Sequence, residues 1–148
     1  METSPPAPDA KKILVIDDNK VVLAAMTFML KSQGYAVMRA ESGAETITIL
    51  RKERPDLILL DLDFPPDASN FGGGLRDGFL IVDWARRMLN AEKIPVIIVS
   101  SLDPEQYKAR AQAAGIPIFF RKPVDKEKLL AAIAASLASP SAAPMAQP

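Results

Sequence analysis

The chain has 148 residues, 49% hydrophobic and 24% charged, enough for one globular domain with its own core and too short for a second. Its 18 Lys and Arg balance 18 Asp and Glu, so no global basic field draws it to nucleic acid or an anionic membrane. It has neither Cys nor His, which excludes disulfides, thiol nucleophiles, a Ser-His-Asp triad, a histidine base and a phosphohistidine donor; a bound ion must be a hard one held by oxygens.

Residues 1–10 and 139–148 are rich in Pro, Ala and Ser and read as mobile tails, with the folded part over 11–138. The N-terminus lacks the apolar core of a signal peptide, and no stretch approaches the roughly 18 apolar residues of a membrane span. A soluble, cytoplasmic protein is the expectation. Between the tails, the strand-like "KILVI" precedes a helix over 19–33, "AVMRA" one over 42–53, "LILL" one over 77–90, "VIIV" one over 103–114, and "IPIFF" one over 125–138. This β/α alternation predicts a parallel sheet. The runs Ile13 to Ile16, Leu57 to Leu60 and Val96 to Val99 are apolar throughout, as central strands covered on both faces must be. Helix punctuation agrees: "SGAE" at 42–45 is a capping box, "DPEQ" at 103–106 pairs an N-cap acceptor with proline, and Gly34 and Gly115 stand where left-handed residues close helices. Leu129, Ile133 and Leu137 form one stripe on the last helix.

In an open parallel sheet, ligands bind beyond the carboxyl ends of the strands. The first strand ends in Asp17 and Asp18, the third in Asp61, the fourth in Ser100 and Ser101, and the fifth in "RKP" with Lys122 before Pro123. Three carboxylates, a hydroxyl and an ammonium thus converge on one edge. Crowded carboxylates repel and need a divalent cation; Mg²⁺ (or Mn²⁺) suits the oxygen-only inventory. A neutralised carboxylate such as Asp61 can then attack phosphorus and form an acyl phosphate. Lys122 would offset charge on the phosphoryl oxygens and the Ser100 hydroxyl would hydrogen-bond to one.

The ordered set "VIDD", "LILLDLDFP", "PVIIVSS" and "FFRKP" resembles the receiver domain of two-component response regulators, over roughly residues 12 to 138. The resemblance implies a flavodoxin-like (βα)5 three-layer α/β sandwich with strand order 2-1-3-4-5. It implies Asp61 as phosphoacceptor, Asp18 as a direct Mg²⁺ ligand, Asp17 acting largely through metal-bound water, and the backbone carbonyl of Asp63 as a further ligand. Ser100 takes the place of the switch hydroxyl, Lys122 that of the phosphate-pairing lysine, and Phe119 that of the rotating aromatic. A cis bond from Lys122 to Pro123 is implied as well. The phosphoryl donor would be a histidine kinase or histidine phosphotransfer protein. The output would be a downstream protein reading the face of the fourth predicted helix, the fifth strand and the fifth predicted helix. A stand-alone receiver is the expectation.

"DLD" after an apolar strand also resembles the first motif of haloacid-dehalogenase-type phosphatases. Those enzymes place a further acid motif after the lysine, whereas here the acid pair begins 44 residues before Asp61, which favours the receiver. A second alternative keeps the fold as a phosphorylation-independent interaction module; none of the five site positions is replaced, which speaks against it. Two departures from the family pattern stand out. Pro65 keeps its place but "DG" at Asp77 and Gly78 comes late, leaving an insertion over about 66–76 with three consecutive glycines, Gly72 to Gly74; it reads as a flexible flap over the site, with a neutral surface elaboration or a partner-docking loop as the alternatives. Asp63 and Ser101 stand where they would tune loss of the phosphoryl group, by charge and by bulk.

Overall fold

The computed structural model describes residues 9–17, 19–61, 86–90, 93–101, 103, 105, 108–113 and 115–138. Asp18, Asp63, the insertion over about 66–76, residues 1–8 and 139–148 of the two tails and most of the helix expected over 77–90 lie outside them.

Five strands, β1 (Lys12–Ile16), β2 (Ala36–Ala40), β3 (Leu57–Asp61), β4 (Val96–Ser100) and β5 (Ile118–Arg121), pair in parallel in the order β2-β1-β3-β4-β5. The helices described are α1 (Lys20–Ser32), α2 (Gly43–Glu53), α3 (Lys108–Ala113) and α4 (Lys126–Ala138), with a further helical turn at 86–88. The parallel sheet is the one expected from the alternation of apolar runs, and its order is the flavodoxin-like one that the family resemblance implies.

Side chains alternate across each strand, so the unbroken apolar runs fill two cores at once. Leu14, Ile16, Ile58, Leu60, Val96 and Ile98 meet Leu50 of α2 and Ala111 of α3 on one face. Ile13, Val15, Leu57, Leu59, Ile97 and Val99 meet Leu23 and Leu30 of α1 and Leu129 and Ile133 of α4 on the other. Every residue of β3 and β4 is buried, whereas β5 is only half-buried, as suits an edge. Each fully buried Leu or Ile contributes about 1.5–3 kcal/mol, so these two strands carry much of the stability.

Caps fix the helix ends. Asn19 accepts from the Val21 and Val22 amides at 2.9 and 3.1 Å and starts α1. At its end Gly34, at φ 94°, lets Tyr35 N–H reach the Leu30 carbonyl and its own N–H that of Lys31, a double closure that needs a left-handed residue. Gly115 closes α3 in the same way, at φ 75°, through Ala111 and Gln112. In the capping box Ser42 accepts from Glu45 N–H at 3.2 Å, but the Glu45 carboxylate accepts from the Glu41 amide at 2.6 Å, one residue further back than the motif's usual partner. Helix α2 ends on Arg54 in a left-handed conformation, φ 50°, a place usually taken by Gly or Asn. Its guanidinium donates to the Leu89 carbonyl at 2.6 Å and the Asn90 carbonyl at 3.4 Å, two acceptors that compensate for the strained backbone. The helix expected from 103 is described as a helix only from Lys108; ahead of it Asp103 accepts from the Glu105 amide at 3.0 Å.

Candidate functional site

Parallel register brings the carboxyl ends of the strands level. Ile16 pairs with Leu60, so Asp17 leaves β1 beside the end of β3; Asp61 pairs with Val99, and Ser100 with Arg121. The Lys122 amide then donates to the Ser100 carbonyl at 2.9 Å, which extends β4 and β5 by one step and sets the lysine over the edge. The Lys122–Pro123 bond is cis.

The site is built around Asp61. Its side chain is 6% exposed, and Lys122 Nζ meets its Oδ2 at 2.6 Å, a partly buried, charge-assisted contact. Asp17 lies alongside, also buried. Burial pushes its carboxyl up to about 7, with a hydrogen bond to the Asp61 side chain and that group's charge acting in the same direction. The Asn19 amide, which donates to Asp17 Oδ1 at 2.9 Å, and the charge of Lys122 pull the other way without prevailing. Ser100 is wholly buried, Ser101 is exposed, and Phe119 is half-buried against the core that α2 and α3 cover.

Thus Asp17, Asp61, Ser100 and Lys122, from four segments far apart in sequence, come to one edge. Asp18 and Asp63 lie outside the described residues, and among the described residues no group of three metal-ligating side chains forms. Asn19 was missed by the sequence reading: it caps α1 with its side chain and holds Asp17 with its amide. Its signal was available, an Asn immediately before a helical period.

The arrangement has a plain chemical meaning. Two buried carboxyls lie beside one ammonium, and burial first, then the neighbouring Asp61 carboxylate, raises the proton affinity of Asp17 above its usual range. An oxygen-only, under-neutralised pair of this kind fits a hard divalent cation.

The chain belongs to the response regulator receiver domain family, whose model matches residues 13–134. It is therefore a signalling domain of two-component systems rather than a classical enzyme. Among curated relatives it is 35% identical over 127 residues to Protein PilH of Pseudomonas aeruginosa, across 86% of this chain and 98% of that one. Among solved structures, a CheY-like receiver domain protein of Methanospirillum hungatei JF-1 superposes with a TM-score of 0.76 at 22% identity, covering 90% of this chain and 98% of that one. The receiver domain of sensor histidine kinase PA1611 from Pseudomonas aeruginosa PAO1, with a magnesium ion coordinated in its active-site cleft, superposes with a TM-score of 0.72 at 23% identity, over 88% of this chain and 99% of that one. These likenesses establish the shared fold.

Proposed function

We infer that this protein is a phosphoacceptor: Asp61 takes a phosphoryl group from a phosphohistidine on a histidine kinase or phosphotransfer protein. The observation that carries the reading is the buried Asp61 carboxylate held by Lys122 at 2.6 Å beside Asp17. An Asp61 oxygen forms a bond to phosphorus as the phosphorus–nitrogen bond of the donor breaks, and the electron pair leaves on the imidazole, which picks up a proton. The Asp61 carboxylate thereby becomes a neutral acyl oxygen, so its attraction for Lys122 falls while the phosphoryl oxygens gain a claim on the same ammonium. Lys122 transfers its ion pair from carboxylate to phosphoryl group, and the Ser100 hydroxyl turns to the new acceptor.

Asp17, Asp18, Asp61 and the Asp63 carbonyl would hold Mg²⁺ or Mn²⁺, whose chemistry is to neutralise the oxygens on either side of the transferred group. The two carboxyls described support this, and a related fold is known to hold magnesium in its cleft. Ser100, once drawn to the phosphoryl group, leaves room into which Phe119 turns, altering the face of α3, β5 and α4 that a downstream protein reads. Asp63 and Ser101 tune the lifetime of the acyl phosphate, and the domain spans 11–138. The proposed site of action is the cytoplasm, where a phosphohistidine donor would be met; no helix among the described residues is long and apolar enough to cross a membrane.

The test is incubation with acetyl phosphate and Mg²⁺ followed by intact-mass measurement. One phosphoryl adduct, lost in Asp61→Asn and lost when the metal is chelated, is expected. An adduct that persists in Asp61→Asn moves the acceptor elsewhere, and no adduct from any donor leaves the phosphorylation-independent module as the better reading.

A further inference from the structure

The chain passes from β1 to α1 through two linked hydrogen-bonded turns. Asp17 donates its amide to the Ala40 carbonyl at 3.1 Å, which keeps its backbone in line with the sheet, while its Oδ1 accepts from the Asn19 amide at 2.9 Å. Asn19 repeats the pattern one step on: its own Oδ1 accepts from the Val21 and Val22 amides at 2.9 and 3.1 Å, and its carbonyl from the Leu23 amide at 3.0 Å. The orphan donors that open a helix need such acceptors. Asn19 is the shared member of both turns, with its side chain given to the helix and its N–H to the carboxylate. Its extended backbone, φ −95° and ψ 112°, is the N-cap conformation that allows both. The other tie at the start of α1, Lys20 to Glu41 at 3.3 Å, has a lysine side chain 80% exposed and holds little.

We propose that Asn19 is a positioning residue for the cation that Asp17 would hold, an inference that rests on the cation site proposed above. It acts through another residue: its side chain fixes the N-cap backbone, that backbone presents the amide, and the amide sets the rotation of the Asp17 carboxylate. Groups that orient a ligand from behind set metal affinity almost as strongly as the ligand does. Without the capping oxygen the backbone at this position samples more of the extended region and the amide drifts from Oδ1. The carboxylate then regains rotational freedom that the cation must remove on binding. The coupling runs both ways, as any equilibrium coupling must. A cation that holds Asp17 in place also holds the Asn19 amide, so the opening turn of α1 becomes firmer when the site fills.

The experiment is calorimetric titration of the full chain with Mg²⁺ alone, beside amide hydrogen exchange followed by NMR. Asn19→Ala is expected to bind Mg²⁺ roughly three- to tenfold more weakly, below the roughly 10–100-fold typical of removing a ligand's own partner, because the amide remains and only its placement is lost. Asn19→Ser keeps a short capping oxygen and is expected to bind within about twofold of wild type. Ser42→Ala removes the cap of α2, where Ser42 accepts from the Glu45 amide at 3.2 Å; it is expected to lower the melting temperature comparably with no change in affinity. Without metal, the amide at position 19 should exchange at least about fivefold faster in Asn19→Ala and at the wild-type rate in Ser42→Ala. With metal, the Val21 and Val22 amides of the wild type should gain protection. Should Asn19→Ala fail to fold, Asn19→Gly, which loses the acceptor at a smaller cost in stability, takes its place with the same expected loss of affinity. An Asn19→Ala variant that binds as the wild type does, an Asn19→Ser variant that restores nothing, or a Ser42→Ala variant that weakens binding equally overturns the role of Asn19. A wild type that binds no Mg²⁺ overturns the cation site itself and this role with it, a result distinct from binding that is indifferent to Asn19.

Discussion

Two lysine–carboxylate pairs mark opposite ends of the sheet. At the amino end Lys12 Nζ lies 3.6 Å from Glu53, both side chains 44% exposed. At the carboxyl end Lys122 meets Asp61 at 2.6 Å, with exposures of 27% and 6%. The partners are of the same chemical types, yet water screens the first pair and the protein excludes most of it from the second. An exposed pair contributes little, ~0–1 kcal/mol. A buried one interacts strongly and is costly to break, and here a second buried acid, Asp17, adds charge that one lysine does not balance. The amino end is a solvated margin, the carboxyl end an electrostatically loaded one.

Substitutions should separate the two ends most sharply in chemistry. Asp61→Asn is expected to abolish the phosphoryl adduct, while Glu53→Gln leaves its yield unchanged by intact mass. An equal loss in both would erase the distinction between the ends. Next, Lys122→Met removes the charge that holds Asp61 and pulls the Asp17 carboxyl down. A loss of about 1–3 kcal/mol in urea melts at pH 7.5 is expected, where Lys12→Met should cost less than ~0.5 kcal/mol.

The pH dependence sharpens the same contrast. Asp17 has a folded-state value raised from 3.8 to about 7, so between those values the folded chain holds a proton that the unfolded chain releases. Its contribution to stability is fully present below about 3.8 and is lost as pH rises through about 7. In chelator, the Asp17→Asn variant should therefore be the more stable protein at pH 8 and lose that advantage toward pH 4, read as the difference in melting temperature. A difference that grows toward low pH would reverse the sign of the argument. Added Mg²⁺ at tenfold its dissociation constant should stabilise the wild type by about 1.4 kcal/mol and stabilise Asp17→Asn less.

The β/α order and both cores were legible because parallel strands buried on two faces leave no position for a polar residue: Leu57 to Leu60 and Val96 to Val99 could be little else. Glycine closures at Gly34 and Gly115 were legible for a similar reason, since few residues tolerate their φ. Arg54 was not, because a left-handed arginine is selected by acceptors that come from Leu89 and Asn90, 35 and 36 residues away. Nor was the reach of Glu45 to the Glu41 amide, which depends on how β2 enters α2. At the site, the topology rule placed Asp17, Asp61, Ser100 and Lys122 on one edge before any distance was known. What it could not supply was the raised proton affinity of Asp17, a property of burial and of a neighbour on another strand.

The clamp of Arg54 on the carbonyls of Leu89 and Asn90 bears on how this domain tolerates novelty. The connection that leaves Asp61 returns to a turn at 86–88 whose exit is pinned to α2, so both ends are anchored independently of what is written between them. Lengthening a chain between two fixed points costs only roughly 0.6 kcal/mol of closure entropy per doubling. Evolution can therefore rewrite the passage next to Asp61, glycines and all, without renegotiating the core that holds Asp61 in place.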